Sequence, residues 1–222
     1  MIALLDIGIG NLSSVTSALA RAGETVAVVA DEGDWSRLMV EEPSISGIIL
    51  PGVGAFGDAM IQLKTSGLLN VVRGAVTENR PLLGICLGMQ LLFAYSEEHG
   101  NHVGLGILPG KVVRFTNQVK VPHMGWNDLT VVLSHPLLEG IHKGDFVYFV
   151  HSFYVQLAVN SPLLVAAAQY GDTLVPAVVV QNQVYGTQFH PEKSGEVGAR
   201  ILQNFVTISR QWAASQGGVS HG

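Results

Sequence analysis

Cysteine is almost missing from this sequence. Cys86 stands alone among 222 residues, so no internal disulfide can staple the fold, and the disulfide-rich class of small secreted domains is excluded. Charge is scarce too. Only 13% of residues are charged and the net charge is -5, which argues against a disordered chain or a charged tail. With no basic patch, nucleic acid is excluded as an expected partner. Long apolar runs are also lacking, although mean hydropathy is +0.36. Pro or Gly interrupts them, as in Ile48-Ile49-Leu50-Pro51-Gly52, and none reaches the roughly 18 uninterrupted apolar residues of a membrane span. The apolar surplus points instead to a thick parallel sheet, a subunit interface, or both. Met1-Ile-Ala-Leu-Leu-Asp has no basic n-region and no small-residue cleavage site, so no signal peptide and a cytoplasmic location are expected. No His, Cys and Asp cluster has ligand spacing, so neither a metal nor a cofactor is expected.

What is present alternates between strand and helix. Ile2 to Leu5 reads as a buried strand, turned at Gly8-Ile9-Gly10-Asn11 into a helix whose apolar stripe is Leu12, Val15, Ala18, Leu19 and Ala22, closed by Gly23. Thr25–Ala30 and Ile48–Leu50 read as strands. A helical stretch broken near Gly67 runs to about Asn79. Pro81–Ile85 reads as a fourth strand, and Leu87–Glu98 as a helix closed by Gly100. This order predicts an α/β fold: a mostly parallel central sheet flanked by helices on both faces. After about Leu105 short β-rich runs dominate, at Lys111–Phe115, Leu129–Leu133, Phe146–Val150, Leu163–Ala168, Ala177–Val180 and Val184–Phe189, giving a β-rich C-terminal half. Glu196–Trp212 reads as a last helix. The expected organisation is one domain over residues 1–212 and a frayed tail over 213–222.

Parallel sheets bind ligands at the carboxyl ends of their strands, and two Gly-rich turns, after Leu50 and after Ile85, fall there. Gly84-Ile85-Cys86-Leu87-Gly88 is the nucleophile-elbow pattern with Cys in place of Ser: small residues two before and two after allow a sharp strand-to-helix turn. The thiol then sits at the start of the Leu87 helix. The alternative is a cysteine that fills core space, as cysteines often do. A thiol nucleophile is best served by a histidine. In Gln188-Phe189-His190-Pro191-Glu192 an extended backbone would send His190 and Glu192 to the same side, so that a carboxylate could orient the imidazole. Backbone N–H groups of Leu87 and of Gly52-Val53-Gly54 are candidates for an oxyanion hole.

These segments resemble the class I, triad-type glutamine amidotransferases. Gly84 to Gln90 is similar to that family's nucleophile motif, Gln188 to Glu192 to its His-x-Glu motif, and Pro51 to Gly54 to its oxyanion strand. Further segments resemble the branch formed by the glutaminase subunits of imidazole glycerol phosphate synthases: Gly10 to Val15, Pro51 to Phe56, Pro122-His123-Met124-Gly125-Trp126-Asn127, His151 to Tyr154, and His190 to Ser194. The resemblance spans about Ile2 to Phe205 and implies a flavodoxin-like fold. It implies hydrolysis of glutamine to glutamate and ammonia, and delivery of the ammonia through a channel to a (β/α)8-barrel cyclase subunit. The cyclase makes imidazole glycerol phosphate and AICAR from PRFAR in histidine biosynthesis. By position, Cys86 is the nucleophile, His190 the base and acid, and Glu192 its orienter. Gly52 or Val53 and Leu87 form the oxyanion hole. Gln90 and the backbone at Ser152 and Phe153 hold glutamine, while Asn11, Met124, Trp126, Tyr148 and Lys193 face the cyclase. The chain departs from the commoner pattern at Ile7 and Phe153, where many members have Tyr, and at Ser13, where many have a basic residue. A pyridoxal phosphate synthase glutaminase, a surface-sugar paralogue, a Cys-elbow hydrolase of the same superfold and a non-catalytic module are the alternatives at this point.

Overall fold

The computed structural model describes residues 1–42, 44–116 and 119–217. The first half of the chain runs β1 (Ile2–Leu5), α1 (Leu12–Arg21), β2 (Val26–Val29), α2 (Glu32–Glu41), β3 (Gly47–Leu50), α3 (Phe56–Thr65), α4 (Leu68–Thr77), β4 (Leu82–Ile85) and α5 (Leu87–Leu91). The second half is mostly strand: β5 (Phe93–Ser96), β6 (His102–Val103), β7 (Leu108–Arg114), β8 (His123–Asp128), β9 (Thr130–Val131), β10 (Phe146–His151), β11 (Phe153–Gln156), β12 (Leu164–Tyr170), β13 (Thr173–Gln181) and β14 (Val184–Thr187). A long α6 (Gly195–Gly217) follows, and short 3-10 turns lie at Pro136–Leu138 and Pro191–Lys193.

The main sheet has the order β2-β1-β3-β4-β14-β13-β12-β9. Its first five strands are parallel and the remaining three add antiparallel. Side chains alternate between faces along each strand. Ile2, Leu4, Ile49, Leu83 and Ile85 meet Val15 and Leu19 of α1 and Leu202 and Phe205 of α6. Ala3, Leu5, Ile48, Leu50 and Leu82 meet Phe56 and Leu63 of α3, Val72 of α4 and Met89 of α5. Full burial of one such aliphatic side chain is worth about 1.5–3 kcal/mol, and β1, β3 and β4 are buried throughout. The predicted sandwich of helices around a parallel sheet is therefore what forms.

Two smaller sheets sit over the carboxyl edge. One has the order β11-β7-β5-β6, and the other is the two-stranded ribbon β8–β10. In the ribbon, His123, Val147, Phe149 and His151 turn inward, while Met124, Trp126 and Phe146 are exposed.

Several boundaries differ from expectation. The helix expected to reach Glu98 stops at Leu91, and the chain re-enters a strand at Phe93. Phe93 is fully buried and β5 pairs with both β6 and β7, so tertiary pairing overrides local helical preference. The strand expected over Leu129–Leu133 shrinks to β9, while β8, β11 and α2 were not read from the sequence at all. The break at Gly67 occurs as expected, with Gly67 in the left-handed region before α4. The last helix continues to Gly217, well into the segment expected to fray, and 218–222 lie outside the described residues.

Candidate active site

The ends of β3, β4 and β14 lie side by side at one sheet edge because the three strands are parallel and adjacent. Each delivers one candidate group: Gly52 and Val53 follow β3, Cys86 follows β4, and His190 follows β14.

Cys86 occupies φ 54°, ψ -109°, a conformation costing about 1–3 kcal/mol for a residue with a side chain. Neighbours hold it there. Its N–H donates to the Thr187 carbonyl at 2.7 Å, and its carbonyl accepts from the Gln90 N–H at 3.1 Å. The elbow also needs its two glycines for space. A Cβ on Gly84 would lie 2.7 Å from the Gly88 carbonyl and the Met89 Cα, and one on Gly88 would lie 1.8 Å from the Leu50 carbonyl oxygen. No larger residue lets α5 pack this closely onto β3 and β4.

His190 is buried and its backbone is pinned. Its N–H donates to the Tyr148 carbonyl at 3.0 Å, and its carbonyl accepts from Ser194 Oγ at 2.6 Å. The imidazole Nδ1 lies 2.8 Å from Glu192 Oε1. The backbone between them is not extended, as the sequence reading assumed. Pro191, with its fixed φ, starts a 3-10 turn there, and the pair meets across that turn. Nε2 has no hydrogen-bond partner of regular geometry among the described residues, a common state for catalytic contacts before substrate binds. Burial by itself pushes the imidazole down. Cys86 and then Glu192 outweigh it and raise His190 from 6.5 to about 10. This favours a protonated imidazole beside the sulfur.

Beside Cys86 lies a cleft of about 340 Å³ lined by Val53, Leu87, Gln90, Glu98, Ser152 and Phe153, among others. That volume suits a small molecule. Gln90 is buried and donates through Nε2 to the Phe153 carbonyl at 2.9 Å and to Gln188 Oε1 at 3.0 Å, and Gln188 Nε2 donates to Cys86 Sγ at 3.7 Å. Leu87 opens α5, where the first backbone N–H groups have no intrahelical acceptor. Two features of the site carry no signal in the sequence. Glu98 brings a carboxylate to the cleft while accepting from the Phe56 N–H at 2.7 Å. Gln188 links Gln90 to the thiol. Neither has a period or spacing that marks it. A groove of about 920 Å³ lined by Val132, Leu133, residues 154–162 and Leu174, among others, is larger but holds none of these groups.

On the outer side of the triad a narrow void is lined by Gly10, Asn11, His190, Glu192 and Lys193. Asn11 caps α1, its Oδ1 accepting from the Ser14 N–H at 3.2 Å. The ribbon's exposed side continues this face. Met124 and Trp126 are 61% and 56% exposed, so they are not the core pair that an alternating strand would suggest. Trp126 meets Tyr148 edge-on across the ribbon, 6.0 Å between ring centroids. Of the five expected partner-facing residues, Asn11 and Lys193 line the void, and Tyr148, whose carbonyl holds the His190 N–H, shares the ribbon with the exposed Met124 and Trp126.

The family model for glutamine amidotransferase class-I matches residues 3–208. The chain belongs to that family. Among curated relatives of this amidotransferase, the imidazole glycerol phosphate synthase subunit HisH of Geobacillus thermodenitrificans is 51% identical over 94% of this chain and 96% of its own length. The protein of the same name from Halobacterium salinarum is 49% identical over 92% of each chain. A solved glutamine amidotransferase structure, 22% identical, superposes with a TM-score of 0.70 over 94% of this chain and 98% of its own, which confirms the fold.

Two outcomes follow from this geometry. Gly88→Ala forces a methyl group into the Leu50 carbonyl and should cost at least about 1–3 kcal/mol, read by urea denaturation. The raised His190 gives stability that is fully present below its ordinary value of 6.5 and lost as pH climbs through about 10. The thermal midpoint of the parent protein should therefore fall relative to that of His190→Gln across this window; parallel curves would contradict the raised value.

Proposed function

We propose that this chain is the glutaminase subunit of an imidazole glycerol phosphate synthase, hydrolysing glutamine and passing ammonia to a barrel cyclase subunit in histidine biosynthesis. The observation that carries the reading is the Cys86 elbow beside the His190–Glu192 pair at the edge of a cleft of about 340 Å³, in a chain about half identical, over 94% of its length, to a named subunit of that synthase.

In this reading Cys86 Sγ attacks the side-chain amide carbon of glutamine. The developing oxyanion is met by backbone N–H groups of Leu87 and of Gly52 or Val53. The protonated His190 gives its proton to the departing nitrogen, ammonia leaves, and a glutamyl thioester remains. Water activated by the now neutral His190 then releases glutamate and restores the thiol. Glu192 holds Nδ1, keeping Nε2 toward the sulfur and stabilising the charged ring. Gln90 and the Ser152 and Phe153 backbone hold the amino-acid head of glutamine, with Glu98 placed to receive its ammonium group.

Asn11, Met124, Trp126, Tyr148 and Lys193 form the face for the cyclase, since an exposed Trp and Met beside a void leading to the triad suit a buried partner contact. Residues 1–212 act as one domain. The chain is expected to work in the cytoplasm, where its one thiol stays reduced. Among the described residues no helix is long and apolar enough to cross a membrane. Gly52-Val53-Gly54 is the expected switch: one peptide flip there would turn an N–H toward the oxyanion, so full activity awaits the cyclase and its ligand.

The test is glutamate release from glutamine by the purified chain, with and without a cognate barrel cyclase and its ribonucleotide ligand. Strong stimulation by both is expected. Cys86→Ala should abolish release, and Glu192→Gln should lower it less. Hydrolysis by Cys86→Ala would remove the assignment, and unstimulated hydrolysis would redirect it to another synthase.

A further inference from the structure

A row of polar groups, buried at its two histidines, joins the ribbon to the cleft. The Phe153 carbonyl, at the start of β11, has two partners: Gln90 Nε2 at 2.9 Å and His151 Nδ1 at 2.8 Å. A carbonyl can only accept, so His151 carries its hydrogen on Nδ1. In a neutral ring Nε2 must then accept. It lies 3.0 Å from His123 Nδ1, which is therefore the next donor, leaving His123 Nε2 to accept from Asn127 Nδ2 at 3.3 Å. The orientation of Asn127 is fixed independently. Its Nδ2 also donates to the Gln169 carbonyl at 2.9 Å, and its Oδ1 accepts from the Asp128 N–H at 2.9 Å. Every donor in the row consequently points the same way, from Asn127 to Phe153.

Both rings are buried, His123 at 3% and His151 at 6% exposed. Burial lowers His123 to about 4 and His151 to about 3, so neither ring takes the second proton that would reverse a link. Packing locks the geometry. The His123 ring is stacked between Phe149 and Tyr170, with centroids at 4.6 Å and 3.9 Å. His123 and His151 are also opposite each other in the ribbon, one position from the pair Met124 and Val150. Val150 and His151 themselves line the cleft. A histidine pair kept only to fill the core could end on any carbonyl. This one ends on the carbonyl that also holds Gln90.

We propose that His151 and His123 are positioning residues, two neutral imidazoles each protonated on Nδ1, which hold the Phe153 carbonyl and with it Gln90 and the Ser152–Phe153 corner in the arrangement that receives the head of glutamine. The proposal rests on the glutaminase reading. It makes the ribbon a rigid link: a displacement of the strand carrying Met124 and Trp126 is passed through His123 to the floor of the cleft.

The experiment uses the full chain in complex with its cyclase. His151→Leu removes the donor to Phe153, and His151→Asn restores a donor close to the Nδ1 position. Loss of one such bond should raise KM for glutamine about tenfold, with kcat at saturating glutamine changing less and Asn recovering most of the loss. Cys86 labelling separates recognition from folding. Labelling by a glutamine-shaped diazoketone should slow about tenfold more in His151→Leu than alkylation by iodoacetamide does. Nitrogen-15 spectra of the unmodified protein provide a readout apart from activity, and should show both rings as neutral Nδ1–H tautomers. Nε2–H at His151, or a folded Leu variant with the parent KM and the parent ratio of labelling rates, would overturn the proposal. If the Leu variant does not fold, the tautomers and the Asn variant decide it. A parent protein that does not hydrolyse glutamine would instead overturn the functional reading, and the tautomer result would still stand by itself.

Discussion

A sulfur can reach out of a buried strand end only if the backbone reverses within one residue. At Cys86 it does so in a left-handed, strained conformation, and much of the site depends on that reversal. The strain of about 1–3 kcal/mol is offset by the hydrogen bonds on either side of Cys86 and by the packing of α5 against β3 and β4. Gly84 and Gly88 permit this packing because neither has a Cβ to hold the layers apart. The same close approach sets Leu87 beside Gly52, where a Cβ would be 3.2 Å from that of Leu87. The elbow thus locates both the thiol and the backbone donors expected to face an oxyanion.

Work at this edge is divided between two kinds of structure. The parallel strands are buried on both faces and give fixed points at their carboxyl ends, from which Cys86 and His190 project. The ribbon β8–β10 is covered on one face only. Val150 and His151 line the cleft and the Tyr148 carbonyl pins the His190 backbone, while the ribbon's outer face exposes Met124 and Trp126. A two-stranded ribbon has little stability of its own, so it must take its position from what packs against it. That suits an element which touches both a subunit face and a substrate cleft.

Much of this was legible in the residues. The alternation of short apolar runs with amphipathic stretches is enough to specify a parallel sheet with helices on both faces, because each strand must bury both sides and each helix one. Gly84-Ile85-Cys86-Leu87-Gly88 marks the elbow, since only small flanking residues tolerate that turn. His190 and Glu192 were readable as a pair, although the reason given, an extended backbone, is replaced by a 3-10 turn at Pro191.

Other features were decided only by the tertiary structure. Whether Phe93 to Ser96 continued a helix or began a strand depended on β6 and β7 being present to pair with it, and no local propensity carries that information. Glu98 lines the cleft while bound to a residue 42 positions away, and Gln188 reaches the thiol across 102 positions. The direction of the His123–His151 row was set by the Phe153 carbonyl and by the two backbone partners of Asn127, because a neutral imidazole takes its tautomer from what surrounds it. The sequence by itself determined the layers, the elbow and the candidate chemical groups, all of which follow from local pattern and residue type. The shape of the cleft, the exposure of Met124 and Trp126 and the buried link between them came from segments far apart in the chain meeting at one edge of the sheet.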